Sequence, residues 1–199
     1  MRAAIEAVEV FGHDVGLGRI ADLAGIARPN LYRLFKNKTQ LDVEVARQGA
    51  AELAAAVQDP LRHGGSVAEI VHGTLAASVS WAAEHPHLYR FIATHDQRSA
   101  EGGSPTGRAR FVTDIVDTIE LHLRAAQIEA EVPAGPVAAI LGLVDGAIQW
   151  WLDHDDEPQQ VLVDRLADQA TALTLDLAAR LGLDLPASLR FEPIDTTGD

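Results

Sequence analysis

Positive charge is concentrated in one short segment of the chain, residues 17–38. The segment holds five basic residues and one acidic residue, Asp22, and it contains both lysines of the protein. Basic side chains at this density bind phosphate groups, although a solvated basic surface without a partner has the same pattern. Charge alone leaves both interpretations open. The basic residues are Arg19, Arg28, Arg33, Lys36 and Lys38.

Two other groups of residues are candidates for a metal site. One is the His-Pro-His sequence at 85–87 with His95-Asp96 after it, and the other is the Asp-His-Asp-Asp run at 153–156. Neither has two histidines four residues apart with an intervening glutamate, the spacing of a helical zinc site. The chain has no cysteine, Walker loop, nucleophile elbow or dinucleotide fingerprint. We therefore expect no cofactor, and a metal-dependent enzyme is the less favoured alternative.

The rest of the chain is acidic and rich in apolar residues. Residues 1–48 hold seven basic and six acidic residues, whereas residues 49–199 hold nine and 23, and the formal net charge is −13. The longest apolar stretch, 137–144, ends at Asp145 and is shorter than the 18 or more residues that a membrane span needs. Glu6 and Glu9 stand where a secretory signal is apolar. We expect a cytoplasmic protein with no membrane partner.

Apolar residues recur at intervals of three and four, which predicts an all-α protein of about nine helices. Turn residues at 12–18, 59–65, 99–107 and 154–158 separate the helices. The segment 186–199 has little periodicity and is expected to lie loosely on the surface.

Two short helices are predicted within the basic segment. Arg19 to Leu23 and Arg28 to Phe35 flank a tight turn at Gly25, which favours a left-handed conformation. This is a helix-turn-helix arrangement. The helix that follows is expected to have Asn37 as its N-cap, with the Gln40 amide oxygen accepting from the Asn37 N–H.

The run from Arg19 to Lys38, with Leu41 after it, resembles the DNA-binding signature of tetracycline-repressor (TetR) family regulators. The shared pattern is I-A-x-x-A-G-I, then L-Y-x-x-F-x-x-K-x-x-L. The resemblance implies a three-helix helix-turn-helix DNA-binding domain at 1–45 and a helical effector-binding and dimerisation domain at 46–185. It also implies a ligand-responsive regulator, in most cases a repressor, that binds a palindromic operator as a homodimer.

Two departures from the family pattern leave an alternative open. The link at 12–18 is about one residue short and has no capping Ser or Thr, and Ala27 stands where a capping Ser is usual. A helical small-molecule-binding module that has lost DNA binding would have such features.

The resemblance places the second short helix in the major groove of double-stranded DNA. Arg28, Asn30 and Arg33 are the candidates for reading bases, since Arg pairs with guanine and Asn with adenine. The resemblance implies that the Tyr32 hydroxyl contacts phosphate, and a packing role for the ring is the alternative. Lys38 is a phosphate candidate because the free N–H groups and the dipole of a helix N-terminus favour an anion beside its positive charge. The full DNA-binding set is Arg19, Arg28, Pro29, Asn30, Tyr32, Arg33, Lys36 and Lys38.

Aromatic and histidine residues between 81 and 115 are candidates for an effector pocket, because the family encloses its effector at this level. Plain core packing is the alternative for each of them. A largely apolar small molecule is expected to shift the dimer between two states with different DNA affinity. The candidates are Trp81, His85, Tyr89, Phe91, Ile92, His95, Phe111 and Ile115.

Apolar stripes on the helices at about 136–153 and 161–181 are candidates for a two-fold dimer interface. The same stripes would alternatively complete the monomer core. The residues are Val137, Ile140, Leu141, Val144, Ile148, Trp151, Leu166, Leu173 and Leu177.

Overall fold

Helices account for nearly all regular structure in the computed structural model. It describes residues 1–12, 14–101, 107–186 and 188–194, with the side chains of 96–101 left out. Nine helices lie within this described part, which confirms the predicted all-α fold; the predicted break at 99–107 falls largely outside it. The helices are α1 (Arg2–Phe11), α2 (Leu17–Leu23), α3 (Arg28–Leu34), α4 (Lys38–Arg62), α5 (Val67–Glu84), α6 (Pro86–Glu101), α7 (Gly107–Ala125), α8 (Ala134–His154) and α9 (Gln159–Arg180).

The chain divides into two units, each built from two separate segments. The N-terminal unit contains 1–53 and 82–108, and the C-terminal unit contains 54–81 and 109–199. The described residues of this second segment therefore pack with residues 1–53. The division into a DNA-binding domain at 1–45 and an effector domain at 46–185 stays a prediction about function.

The core of the N-terminal unit is formed where α1 packs on α2 and α6 and where α2 packs on α3. Gly49 lets α4 approach α6 closely, because a Cβ atom there would lie 3.0 Å from the side chains of both Leu88 and Ile92. The buried residues of this core include Val8, Ile20, Leu31, Leu41, Leu88 and Phe91.

The core of the C-terminal unit extends to the segment that was expected to be loose. Phe191 is 8% exposed, and its N–H and carbonyl form 2.8 Å hydrogen bonds with Gly65. Ile194 donates to the Arg62 carbonyl at 2.9 Å. The expectation of a loose segment is wrong for 188–194, because the apolar ring of Phe191 packs into a core cluster with Leu61, Ile70 and Ile115.

A capping box that sequence reasoning missed begins α5. The Ser66 N–H donates to Glu69 Oε2 at 2.7 Å, and the Glu69 N–H donates to Ser66 Oγ at 3.3 Å. Arg190 also forms an ion pair with Glu69, at 2.7 Å. The Ser66 N–H, and after it Arg190, lowers the pKa of Glu69 from 4.5 to about 2.

Two short helices begin without a side-chain cap. Gly16 precedes α2 and Ala27 precedes α3, and neither offers a side-chain hydrogen bond to the helix N–H groups. The backbone of Ala27 is extended, at φ −66° and ψ 138°, which is the conformation that a capping serine adopts. The missing cap predicted from the sequence at Ala27 is therefore confirmed.

Replacing Ala27 with Ser should stabilise the protein by about 0.5–2 kcal/mol, because the hydroxyl can accept from the Asn30 N–H, which otherwise bonds only the Ala27 carbonyl at 2.9 Å. The measurement is the free energy of unfolding by urea. Ala27→Val is the control, since valine cannot cap. Equal stability of the Ser and Val variants would contradict this assignment.

Glu69→Gln should remove part of the loss of stability in acid. The pKa of Glu69 is lower in the folded state, so its stabilising contribution is complete above about pH 4.5 and disappears as the pH falls towards 2. Thermal unfolding of the wild type and the variant should therefore differ most at neutral pH and converge in acid.

Arg190→Gln provides a graded comparison, because the Ser66 N–H is the larger cause of the lowered pKa. It should flatten the acid dependence of the unfolding temperature less than Glu69→Gln does. A wild-type and Glu69→Gln difference that stays constant from neutral pH to pH 2 would exclude the capping role.

Candidate functional site

The helix-turn-helix predicted from the sequence is present in the N-terminal unit. Gly25 has a left-handed φ of +64°, and the Ile26 N–H closes the turn by donating to the Ala21 carbonyl at 3.1 Å. Ile20 and Leu31 are buried between the helices. Helix α2 begins two residues earlier than predicted and α3 ends one residue earlier, and the pairing is otherwise as expected.

Helix α3 presents its polar side chains to solvent. Asn30, Tyr32 and Arg33 are exposed, Tyr32 to 57%. The guanidinium group of Arg28 lies against the backbone of α2, since a Cβ on Gly18 would be 2.6 Å from Arg28 Nη2. Gly18 therefore makes room for Arg28, and Asn30 and Arg33 extend from the helix itself. Pro29, in the first turn, is also exposed.

Two of the other basic residues of this surface, Arg19 and Lys38, are held by local contacts. The Arg19 guanidinium lies 4.4 Å from the centre of the Phe11 ring, a cation–π contact. Lys38 Nζ forms an ion pair with Asp42 one turn along α4. A phosphate that binds Lys38 must therefore compete with Asp42, whereas the side chain of Lys36 is exposed.

The cap of α4 differs from its prediction in one bond. Asn37 Oδ1 accepts from the Gln40 N–H at 2.8 Å, which confirms Asn37 as the N-cap. The Gln40 amide oxygen accepts from the Lys36 N–H, also at 2.8 Å, rather than from the Asn37 N–H. The side chain of Gln40 therefore fixes the link between α3 and α4 one residue further back.

A polar cleft in the N-terminal unit brings together Tyr32 and Lys38, two of the residues predicted from the sequence as phosphate contacts. The link between α1 and α2, at 14–18, forms another part of its lining, with Asp42 and His95. Two carboxylates, Asp14 and Asp42, lie in this lining, so the cleft has mixed charge.

The eight predicted effector residues are divided between the two units, and the described lining of the polar cleft includes His95 from this set. Trp81, Tyr89 and Phe91 are buried side chains, and Ile92 is half-buried against Gly49. His85 Nδ1 lies 2.8 Å from Glu9 Oε1. His95 stacks on Phe91, with ring centres 4.0 Å apart, and donates from Nδ1 to the Phe91 carbonyl at 2.9 Å.

A second cavity lies in the C-terminal unit, and six of the eight residues are absent from its described lining. These six are Trp81, His85, Tyr89, Phe91, Ile92 and His95. Ile115 lines this cavity, and Phe111 packs on the same core cluster. Contact of this set with an effector therefore stays a prediction, and the burial of Trp81, Tyr89 and Phe91 also fits the alternative of plain core packing, since aromatic residues fill cores.

The cavity in the C-terminal unit has a volume of about 180 Å³. Its walls come from the end of α4, from α5, α7, α8 and α9, and from the segment 183–191. Among the described residues that line it, no Lys, Arg, Asp or Glu is found, and Thr74, Thr174 and His122 are the polar ones. Typical aliphatic side chains of the lining are Ile70, Leu75, Leu123, Val144 and Leu177.

His122 is the buried polar residue that sequence reasoning missed. It is 4% exposed, its Nε2 lies 2.8 Å from the Leu61 carbonyl oxygen, and its ring meets Phe191 edge-on at 5.5 Å. Its Nδ1 atom is buried and has no hydrogen-bond partner among the described residues. The one sequence signal for this residue was its position in an apolar stripe, between Ile119 and Leu123.

Most of the predicted dimer residues face the interior of their own unit. Ile148 and Leu166 are fully buried, and the Trp151 indole N–H donates to the Glu157 carbonyl at 2.8 Å. Leu173 is the exception, at 42% exposed. The buried residues of the predicted dimer stripe therefore contribute to the core and the cavity wall of their own unit. The residues of the set that line the cavity are Val137, Ile140, Leu141, Val144 and Leu177.

A second apolar surface lies on the opposite side of α8. Leu143 and Trp150 are exposed to 37% and 57%, and a Cβ on Gly146 would meet nothing within 4 Å. Among the described helices, α8 alone is long and apolar enough to cross a membrane by length and composition. No such segment was expected from the sequence, because Asp145 interrupts the apolar stretch. The most apolar 18-residue window of α8 is only 17% buried. We name the surface formed by Ala139, Leu143, Gly146 and Trp150 the outer face of α8.

The candidate metal groups do not assemble in the described part of the chain. No group of three or more His, Asp or Glu residues there is placed to hold a metal ion. His85 and His87 both direct Nδ1 to Glu9, at 2.8 and 2.7 Å. His154 Nδ1 donates to the Trp150 carbonyl, and the indole N–H of Trp150 donates to Asp156 Oδ2. The side chain of Asp96 lies outside the described residues.

No family model and no curated protein matches this sequence. The structure resembles several solved structures at low sequence identity. A TetR-family transcriptional regulator from Streptomyces coelicolor is 20% identical, with a TM-score of 0.70, over 91% of this chain and 86% of that one. A TetR-family regulator from Marinobacter aquaeolei VT8 is 18% identical, with a TM-score of 0.66, over 86% of this chain and 91% of that one.

A third similar structure contains a bound small molecule. It is the TetR-like transcriptional regulator LfrR from Mycobacterium smegmatis in complex with proflavine, 20% identical with a TM-score of 0.61, over 86% of this chain and 93% of that one. The fold implied by the resemblance at residues 19–41 is thereby confirmed over most of the chain. This chain has the fold of the TetR-family transcriptional regulators.

Proposed function

We propose that this protein is a TetR-family transcription regulator that binds palindromic operator DNA as a homodimer and responds to a small-molecule effector. The observation that carries the proposal is helix α3, which is fixed to α2 through a buried apolar contact and exposes Asn30, Tyr32 and Arg33. Short helices that expose polar side chains in this arrangement enter the major groove of DNA.

Within this proposal the exposed residues divide into two roles. Asn30 and Arg33 read bases, since an Asn amide pairs with adenine and an Arg guanidinium with guanine. Arg28 reaches the same groove from its position across Gly18. Pro29 sets the first turn of α3 against the DNA. The phosphate contacts are Arg19, Tyr32, Lys36 and Lys38.

Electrostatics supports binding through this surface alone. The whole chain carries a formal charge of −13, and five of its 16 basic residues lie between 17 and 38. An anionic duplex is repelled by the acidic remainder of the molecule and attracted to the basic segment, so the charge distribution orients the encounter. Affinity should fall as salt rises, because each phosphate contact releases counterions.

Dimerisation follows from the reading of a palindrome. Two recognition helices must lie one helical turn of DNA apart, about 34–36 Å. We propose that the outer face of α8, together with Leu173 on α9, pairs with its copy across a two-fold axis. Without such a partner, the apolar side chains of this face, among them Leu143 and Trp150, would stay exposed to water, which is unfavourable.

The effector site is the cavity of the C-terminal unit. Helix α4 is continuous from Lys38, directly after the helix-turn-helix, to Arg62. Its Leu61 carbonyl is bonded to His122 in the cavity wall. A ligand that favours another position of the α4 end changes DNA affinity by its differential affinity for the two states. We propose that the ligand-free dimer binds DNA as a cytoplasmic repressor and that ligand releases it.

Arg33→Ala should weaken operator binding by about 1–3 kcal/mol and relax the base preference at one position, because it removes a base contact. The operator is first obtained by selecting bound fragments from randomised duplexes. Affinity is then measured on operator and on scrambled duplex at several salt concentrations.

Lys38→Ala and Arg180→Ala are the comparisons for that experiment. The Lys38 variant should weaken binding to both duplexes alike and reduce the salt slope by at most about one, since the side chain contacts phosphate and is shared with Asp42. Arg180 lies on α9, paired with Asp176, and its variant should bind as the wild type does. Recovery of no palindrome at low salt would instead favour a binding module without DNA function.

Leu143→Glu should convert the dimer to a monomer, because it places a charge in the centre of the outer face of α8. Light scattering coupled to gel filtration at micromolar concentration measures the mass. Leu121→Glu is a matched control, since Leu121 on α7 is similarly exposed, at 42% against 37%. A wild-type monomer, or dissociation by the Leu121 variant alone, would exclude this interface.

A further inference from the structure

We propose that the cavity of the C-terminal unit binds a small, uncharged, largely apolar molecule with one hydroxyl group, which donates a hydrogen bond to His122 Nδ1. The inference rests on the proposed function only in taking this cavity as the effector site. The chemistry itself follows from the lining residues.

The hydrogen bond of His122 to Leu61 fixes which ring nitrogen carries the proton. A backbone carbonyl oxygen only accepts, so Nε2, at 2.8 Å from it, must be the donor. In the neutral imidazole the other nitrogen, Nδ1, is then an acceptor. This acceptor is buried and has no partner among the described residues, and a donor group of a ligand would satisfy it.

The lining of the cavity favours an uncharged ligand. His122 is 4% exposed, and the polar residues that share the described lining with it, Thr74 and Thr174, are uncharged. Burial of a ligand carboxylate or ammonium group without a charged partner is costly. The complementary ligand group is therefore a neutral donor such as a hydroxyl.

The two threonines do not offer an equivalent site. Thr74 Oγ1 donates to the Ile70 carbonyl at 2.7 Å, and Thr174 Oγ1 donates to the Ala170 carbonyl at 2.8 Å. Each hydroxyl proton is thus used within its own helix. His122 is the polar group of this lining whose hydrogen-bonding capacity is left unmet in the described structure.

The volume sets the size of the ligand. An apolar cavity of about 150 Å³ holds benzene. The cavity here, about 180 Å³, has room for one aromatic ring and one or two further heavy atoms. Benzyl alcohol has this size and one hydroxyl donor, and its isomer anisole has the same atoms without a donor. This pair of molecules isolates the hydrogen bond from the apolar contact.

The test is calorimetric titration of the full chain, without DNA, with benzyl alcohol, anisole, ethylbenzene and benzoate. His122→Phe should lower the preference for benzyl alcohol over anisole by about fivefold, the value of one net hydrogen bond. Ethylbenzene should still bind to this variant, which shows that the cavity persists. Thr174→Val is the matched control and should leave the preference unchanged.

A second readout needs no variant. The ¹⁵N resonance of the unprotonated His122 Nδ1 in the wild type should move to lower chemical shift with benzyl alcohol and stay in place with anisole. An unchanged preference in His122→Phe, an unmoved resonance, tighter binding of benzoate than of benzyl alcohol, or no binding of any of the four probes overturns the inference.

The outcome is independent of DNA binding. A chain that binds benzyl alcohol through His122 but selects no operator contradicts the proposed function and leaves the ligand chemistry standing. A chain that selects a palindrome but prefers benzoate contradicts the ligand chemistry alone.

Discussion

Much of the C-terminal unit depends on one constraint, which is that the last carbonyl groups of α4 need hydrogen-bond donors from outside the helix. The last carbonyls of a helix have no partner within it. Here Leu61 is bonded by the His122 ring and Arg62 by the Ile194 N–H, at 2.8 and 2.9 Å. A side chain of α7 and a strand-like piece of the C-terminal segment therefore hold the same helix end, and both belong to the region of the cavity.

This arrangement explains why the cavity wall contains a histidine at all. An apolar residue at 122 would leave the Leu61 carbonyl buried without a donor, at a cost of about 1–3 kcal/mol. A histidine satisfies the carbonyl with one nitrogen and leaves the other without a partner among the described residues. The structural role of the ring and its proposed ligand contact thus use different atoms of one side chain.

Helix α8 has two apolar sides with different surroundings. One side, including Val137 and Val144, lines the cavity, and the outer face with Leu143 and Trp150 is exposed. A helix that is apolar all round is expected to be buried on both sides. Since the unit covers only one side, the outer face is available to the second copy of the chain in the dimer that we propose.

The sequence by itself determined the local features of this protein. The helical periodicity, the Gly25 turn, the uncapped start of α3 and the Asn37 cap depend on residues within a few positions of each other, so their patterns predict them directly. The same locality explains why the helix-turn-helix was placed to within two residues.

Only the tertiary structure decided which apolar surfaces face a cavity, a core or solvent. Periodicity identifies an apolar side of α8 but not its neighbour, so the predicted dimer stripe proved to be mostly interior. Two contacts join residues that are far apart in the sequence, so no local pattern links them. These are the contact of Phe191 with Gly65 and the contact of His122 with Leu61. Their pairing depends on the packing of whole helices, which brings an unpaired carbonyl and a buried ring together only after the chain has folded.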